Sequence, residues 1–200
     1  MTDERTRLLR MLAQQSFRIA ETRLSAGGVS DYYIDCRTTT LCAEGGRLAG
    51  LLLLDLLQQT KLELRAVGGM TLGADPVVSN ITAASAWRAA MDGHVTTMDG
   101  FLVRKEAKAY GAGRRIEGFC EPGTPVAIVD DACTTGASIV KAIRAAQEAE
   151  MRVVAVACLV ERQEVDGRQV VEAAAPGAPF LSVFSGEEVR AQYLELAARA

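Results

Sequence analysis

The chain has 200 residues, 49% hydrophobic and 24% charged, enough to bury the core of one α/β domain without disulfides or metals. Its 22 basic and 25 acidic residues leave a net charge of -3, which argues against a general nucleic-acid binder. Five scattered cysteines with no C-x-x-C pair argue for free thiols in a reducing compartment, against a zinc site or a disulfide framework.

Met1 to Arg10 mixes acids and bases without an apolar segment, unlike a secretory leader, so a cytoplasmic enzyme is the expectation. Leu8, Leu12 and Ile19 recur near helical spacing and predict an amphipathic helix over Thr6–Ala20. Gly27-Gly28, followed by Ser30 to Asp35, predicts a turn and a short strand. Glu44–Gln59 predicts a largely buried, leucine-rich helix, whose run Leu51–Leu54 is far too short to cross a bilayer. Alternation follows: a strand over Leu64–Val67, a helix over Asp75–Ala90, a strand over Phe101–Val103, and a polar segment over Arg104–Gly118. The C-terminal half predicts strands over Val126–Val129, Val153–Val160 and Phe180–Phe184, with helices over Gly136–Glu150 and Glu187–Ala198. Such alternation predicts an α/β fold, a parallel sheet flanked by helices, as a single domain over residues 1–200.

The most informative segment is Val126 to Ser138. An apolar strand ends in Asp130-Asp131, and Thr134-Thr135-Gly136-Ala137-Ser138 then opens a helix. Strand ends in open α/β sheets face the ligand crevice. The turn offers backbone N–H groups, hydroxyls and a helix N-terminus to a phosphate dianion, and Gly136 permits close approach. An N-capping cluster explains one such polar residue, not five so close together. Adjacent acids beside an apolar strand repel each other and call for a ligand or a cation.

This segment resembles the phosphoribosyl pyrophosphate (PRPP) signature of type I phosphoribosyltransferases. The resemblance implies that Asp130 and Asp131 hold the ribose hydroxyls. It assigns Ala132, Cys133, Thr134, Thr135, Gly136, Ala137 and Ser138 to PRPP binding, the last five around the 5-phosphate. Three further segments resemble the orotate phosphoribosyltransferase family within that group. Phe101 to Gly111 with Glu117-Gly118 is similar to its mobile catalytic loop, Ser30 to Arg37 to the hood that covers the base, and Glu161 to Glu164 to its orotate-contacting segment.

The resemblance implies a small N-terminal hood built from about residues 1–40 and the C-terminal segment. It implies Lys105, Asp130 and Asp131 as catalytic residues, and Arg104, Lys105, Lys108, Tyr110 and Thr71 as further PRPP contacts. Tyr33, Ile34, Thr134 and Arg162 would hold orotate, Arg162 through the base's carboxylate. Mg²⁺ would be held mainly by PRPP and water, with no direct protein ligand. The implied partners are orotate and PRPP, with no nucleic acid or membrane. The implied assembly is a homodimer sharing its active sites, with Lys105 reaching into the neighbouring subunit. The implied reaction gives orotidine 5'-monophosphate and pyrophosphate in pyrimidine synthesis. The alternatives are transfer to another base, or a PRPP-binding regulator that catalyses nothing.

Three positions depart from common members of the family. Tyr110 stands where His is frequent, Ser25-Ala26 lacks a Lys, and the turn Gly68 to Gly73 lacks another. Trp87 is expected in the core, His94 on a surface turn without a role, Cys133 as a small packing residue, and Asp75-Pro76 at a helix start.

Overall fold

The computed structural model describes residues 2–23, 29–92, 96–106 and 115–199. Helix α1 (Thr2–Met11) runs into a π-helical turn (Leu12–Ser16), followed by strands β1 (Phe17–Arg23) and β2 (Val29–Ile34). Helices α2 (Arg37–Thr40) and α3 (Ala43–Gln59) lead to β3 (Ala66–Met70), α4 (Ala74–Asp92), β4 (Asp99–Val103) and β5 (Ile116–Gly118). Next come β6 (Pro125–Cys133), α5 (Ala137–Glu148), β7 (Arg152–Glu161), α6 (Gly167–Ala174), β8 (Phe180–Ser185) and α7 (Gly186–Ala197).

The main sheet has the order β5-β4-β3-β6-β7-β8. Every neighbouring pair is parallel except β4 with β5. Successive side chains of a strand point to opposite faces, and β6 shows the consequence. Val126 and Ile128 pack with α5 residues Ile139 and Ile143, while Ala127 and Val129 pack with Leu48 and Leu53 of α3 and Val77 and Ile81 of α4. Helices therefore cover both faces, as parallel sheets require. No helix among the described residues is long and apolar enough to cross a membrane.

The expected helix over Thr6–Ala20 is corrected: it ends before Phe17, which opens β1. Tertiary bonds decide this. The Ser16 carbonyl accepts from Asp35 N–H at 3.0 Å, and Ser16 Oγ meets Thr39 Oγ1 at 2.7 Å. Phe17 stacks on Tyr32 with ring centroids 5.2 Å apart, and β1 pairs antiparallel with β2. Ile19, read as part of the helical stripe, is exposed. Trp87 is a second correction, being 70% exposed on α4 and no part of the core. The polar segment after β4 also returns as β5, and α6 fills a stretch with no helix signal.

Helices α3 and α4 touch backbone to backbone. A Cβ on Gly50 would stand 2.4 Å from the Asn80 carbonyl oxygen. Asn80 in turn donates from Nδ2 to the Thr40 carbonyl at 3.1 Å. In an open helix, Gly→Ala gains about 1 kcal/mol of propensity. Here the methyl meets backbone that cannot turn aside, and overpacking of this kind costs about 1–3 kcal/mol. Gly50→Ala is therefore expected to lower the urea midpoint; an unchanged or higher midpoint would show that α4 yields freely.

Candidate active site

After α3 the chain enters the sheet at β3, moves outward to β4, and returns to the other side of β3 as β6. The strand order reverses between β3 and β6, and the crevice beyond their carboxyl ends is where such sheets take ligands. The turn Thr71 to Gly73 after β3 lies against the acid-bearing end of β6, which the turn Thr134 to Gly136 follows. The approach is close because the β3 side lacks bulk. A Cβ on Gly69 would lie 2.1 Å from the Val129 carbonyl oxygen, and one on Gly73 would lie 2.6 Å from Asp131 Oδ1.

Strand β6 runs through Asp130 and Asp131 to Cys133, four residues beyond the predicted end. Asp130 is 4% exposed and accepts from Ser138 Oγ at 2.7 Å and from Asp131 N–H at 3.0 Å. Asp131 accepts from Ala132 N–H at 2.8 Å. Burial pushes the Asp130 carboxyl well above its usual range, and the neighbouring Asp131 adds to the effect. Burial raises Asp131 as well, against the pull of Ala132 N–H, Asp130 and the nearby Arg37 charge. Burial thus disfavours ionising both carboxyls at once, a cost that hydroxyl donors of a ligand would ease.

Gly136 caps α5 with φ +72°, a left-handed conformation that suits glycine. The first bond into the helix, Val140 N–H to the Gly136 carbonyl, is 2.9 Å. The N–H groups that precede it lack a partner within the helix and suit an anion. Gly167, at the start of α6, lies under this turn, where a Cβ would be 2.1 Å from the Thr134 carbonyl oxygen. Arg168 fixes α6 to the sheet. It donates to both oxygens of buried Glu161 at 2.7 and 2.6 Å and to the Phe180 carbonyl at 3.0 Å. Cys133 is buried, its thiol pushed up to about 12 chiefly by burial, so it packs and does not act as a nucleophile near neutral pH.

One strand over, Arg162 follows β7 and is 5% exposed. Its N–H donates to the Cys133 carbonyl at 2.8 Å, tying it to the acid-bearing strand. Its guanidinium lies 4.1 Å above the Tyr32 ring and donates to Ser30 Oγ at 2.6 Å and Glu164 Oε1 at 2.8 Å. Tyr32 Oη also donates to Glu164 Oε1. Tyr33 and Ile34 sit on the same strand, paired with Arg18 and Phe17, and the Arg18 guanidinium lies 4.8 Å above the Tyr33 ring.

Other expected residues are placed as follows. Thr71 donates its N–H to the Val103 carbonyl at 3.0 Å and its hydroxyl to Asp75 Oδ2 at 2.7 Å. Arg104 donates to Glu117 Oε1 at 2.9 Å, and Lys105 is exposed just beyond it. Lys108, Tyr110, Gly111 and Gly113 lie outside the described residues, as do Ser25, Ala26 and His94. Sequence reasoning gave no role to Arg37, Tyr32 or Glu164. Arg37 grips Asp35 through two bonds of 2.8 Å and stands near enough for its charge to act on Asp131. The Asp35-x-Arg37 spacing was the available signal, but it says nothing of Asp131.

No family model matches the chain. Orotate phosphoribosyltransferase of Streptomyces coelicolor is 40% identical over 189 residues, covering 94% of this chain and 98% of the relative. That of Aquifex aeolicus is 37% identical over 189 residues, covering 93% and 97%. The crystal structure of Mycobacterium tuberculosis orotate phosphoribosyltransferase in complex with PRPP superposes with a TM-score of 0.71 at 29% identity, covering 94% of this chain and 92% of that one.

The acid pair carries a stability consequence. Asp130 has a folded-state pKa above its unfolded value, so its contribution is full below the unfolded pKa and is lost as pH rises through the folded one. Asn at this position keeps an acceptor and cannot ionise. Unliganded Asp130→Asn is therefore expected to melt above the parent at about pH 8, with the gap closing near pH 4. Thermal melts across that range check this; a variant that melts lower at the alkaline end overturns it.

Proposed function

The chain belongs to the orotate phosphoribosyltransferase family, and on that premise we propose how its residues transfer the phosphoribosyl group of PRPP to orotate. The products are orotidine 5'-monophosphate and pyrophosphate. The observation that carries this reading is a single crevice. It brings together a buried acid pair, a helix N-terminus and, on the adjoining strand, a buried guanidinium.

Each part takes one piece of the substrates. The α5 N-terminus and Thr134 to Ser138 take the 5-phosphate, and Asp130 and Asp131 accept from the ribose hydroxyls. Orotate lies under the hood formed by β1 and β2, its carboxylate toward Arg162 and its ring against Tyr33, Ile34 and Thr134. The leaving pyrophosphate faces the glycine-rich turn after β3, which Thr71 joins once its hydroxyl turns from Asp75. As C1 parts from pyrophosphate, positive charge grows on the ribose and negative charge on the leaving group. Fixed cations at the leaving group lower that barrier. Lys105 is the catalytic cation of the loop, with Arg104, Lys108 and Tyr110 as further contacts. Mg²⁺ would be held mainly by PRPP oxygens and water, with no direct protein ligand. Bound with PRPP, Mg²⁺ would neutralise part of the pyrophosphate charge.

The working unit is a homodimer in the cytoplasm. Ala83, Ala86, Trp87, Ala90 and Met91 form one exposed apolar stripe of α4 at helical spacing, Met91 being 84% exposed. Beside it runs a groove of about 760 Å³ lined by Ser79, Thr82, Ala86 and Leu102. A second subunit on this face would lie beside the root of the Lys105 loop.

Arg162→Ala is expected to raise the orotate KM roughly thirtyfold or more, the scale of a desolvated charge pair, with little change in the PRPP KM. Steady-state assays of orotate consumption with PRPP and Mg²⁺ measure this, and an unchanged orotate KM removes the assignment. Sharing of sites is tested by mixing inactive subunits, one Lys105→Ala, the other with Asp130 and Asp131 both changed to Asn. Random pairing after refolding should restore up to about a quarter of parental activity, because each mixed dimer holds one intact site. Mixed dimers as inactive as their parents would show that Lys105 serves its own subunit.

A further inference from the structure

Arg162 carries a permanent charge, and its side chain is nearly sealed from water. A buried guanidinium without a counter-charge is strongly destabilising. The protein answers with its own carboxylate. Glu164 Oε1 accepts from Arg162 Nε at 2.8 Å, lies 2.6 Å from Nη2, and also accepts the Tyr32 hydroxyl. The arrangement is held from behind. Tyr32 stacks on Phe17, and a Cβ on Gly186 would stand 2.6 Å from Tyr32 Oη. Ser30 Oγ takes a further guanidinium bond at 2.6 Å. Arg162 and Tyr32 are therefore fixed. Glu164 differs, for its side chain is 44% exposed and has solvent to swing into.

We propose that Glu164 is a specificity-determining residue: its carboxylate stands in for that of orotate on Arg162 and must be exchanged for it when the base binds. This rests on the reading of Arg162 as the orotate anchor. A carboxylate-bearing base replaces one anion by another, so the buried charge stays compensated throughout. A neutral base such as uracil offers no replacement. It either leaves Glu164 in its way or leaves Arg162 bare. Selection for orotate thus comes from an internal competitor as well as from attraction, a device that penalises the wrong ligand. It also lowers the apparent affinity for the right one by the fraction of time the fork is closed.

The test uses product nucleotides, which share one ribose phosphate and differ in the carboxylate. Titration calorimetry of the full chain with orotidine 5'-monophosphate and with uridine 5'-monophosphate gives two dissociation constants. Glu164→Gln keeps the shape and removes the charge. It is expected to tighten orotidine 5'-monophosphate by about tenfold while uridine 5'-monophosphate changes less than about twofold. Tyr32→Phe removes one bond that holds Glu164, leaves Arg162 and Glu164 intact, and should shift the same ratio in the same direction. It decides the matter if Glu164→Gln does not fold. Unchanged or weaker binding of orotidine 5'-monophosphate overturns the proposal, since Glu164 would then only scaffold Arg162. Arg162→Ala separates this failure from failure of the underlying reading. If that variant keeps the parental preference for orotidine over uridine 5'-monophosphate, Arg162 does not read the carboxylate at all.

Discussion

Strands β3 and β6 lie side by side at the centre of the sheet, and the chain departs from them in opposite directions. The crevice they open is narrow because Gly69 faces the Val129 carbonyl and Gly73 faces both acids. A side chain at either glycine would push the turn after β3 away from the end of β6. On the proposed reading, the pyrophosphate side and the ribose side of the site would then no longer bracket one substrate. The rest of the machinery hangs from these two strand ends. Gly136 and α5 continue β6, the loop bearing Lys105 continues β4 next to β3, and Arg162 is bonded by its backbone to Cys133.

Charge in this crevice is arranged in two opposite ways. At the end of β6 two carboxyls sit together, both raised by burial. After β7 a buried cation is already answered by Glu164 and by the Tyr32 ring. On the proposed reading the first takes the ribose hydroxyls, and the second holds an anion until the base's carboxylate arrives. Beneath both, the Glu161–Arg168 pair locks α6 under the turn after β6, with Ser182 as a further donor at 2.9 Å to Glu161. That pair is scaffold: it fixes the turn that opens α5.

Much of this was legible from local patterns. Apolar runs such as Val126–Val129 and Val153–Val160 announce strands buried on both faces, and Asp130-Asp131 ahead of Thr134 to Ser138 announces a phosphate and sugar site. What escaped was decided by distant partners. Leu8 and Leu12 do share a buried helical face, but Phe17 leaves it to stack on Tyr32, fifteen positions along the chain. Trp87 reads as core by its chemistry and stands outside because α4 carries apolar residues on more than one face. Arg37 and Glu164 gain their roles only when the hood folds over the sheet. Nothing in their immediate neighbourhoods says that one will stand near Asp131 and the other on Arg162.

On the proposed reading, the substrate held by the acid pair is also a structural component. A ligand that brings donors to Asp130 and Asp131 binds the folded chain alone and stabilises it by RT ln(1 + [L]/Kd), about 2.7 kcal/mol at a hundredfold excess over Kd. The empty enzyme is the weaker fold and the occupied one the stronger. Its resistance to heat and to proteolysis therefore follows the supply of sugar phosphate around it. Nucleotide precursor levels would set how long each molecule lasts as well as how fast it works.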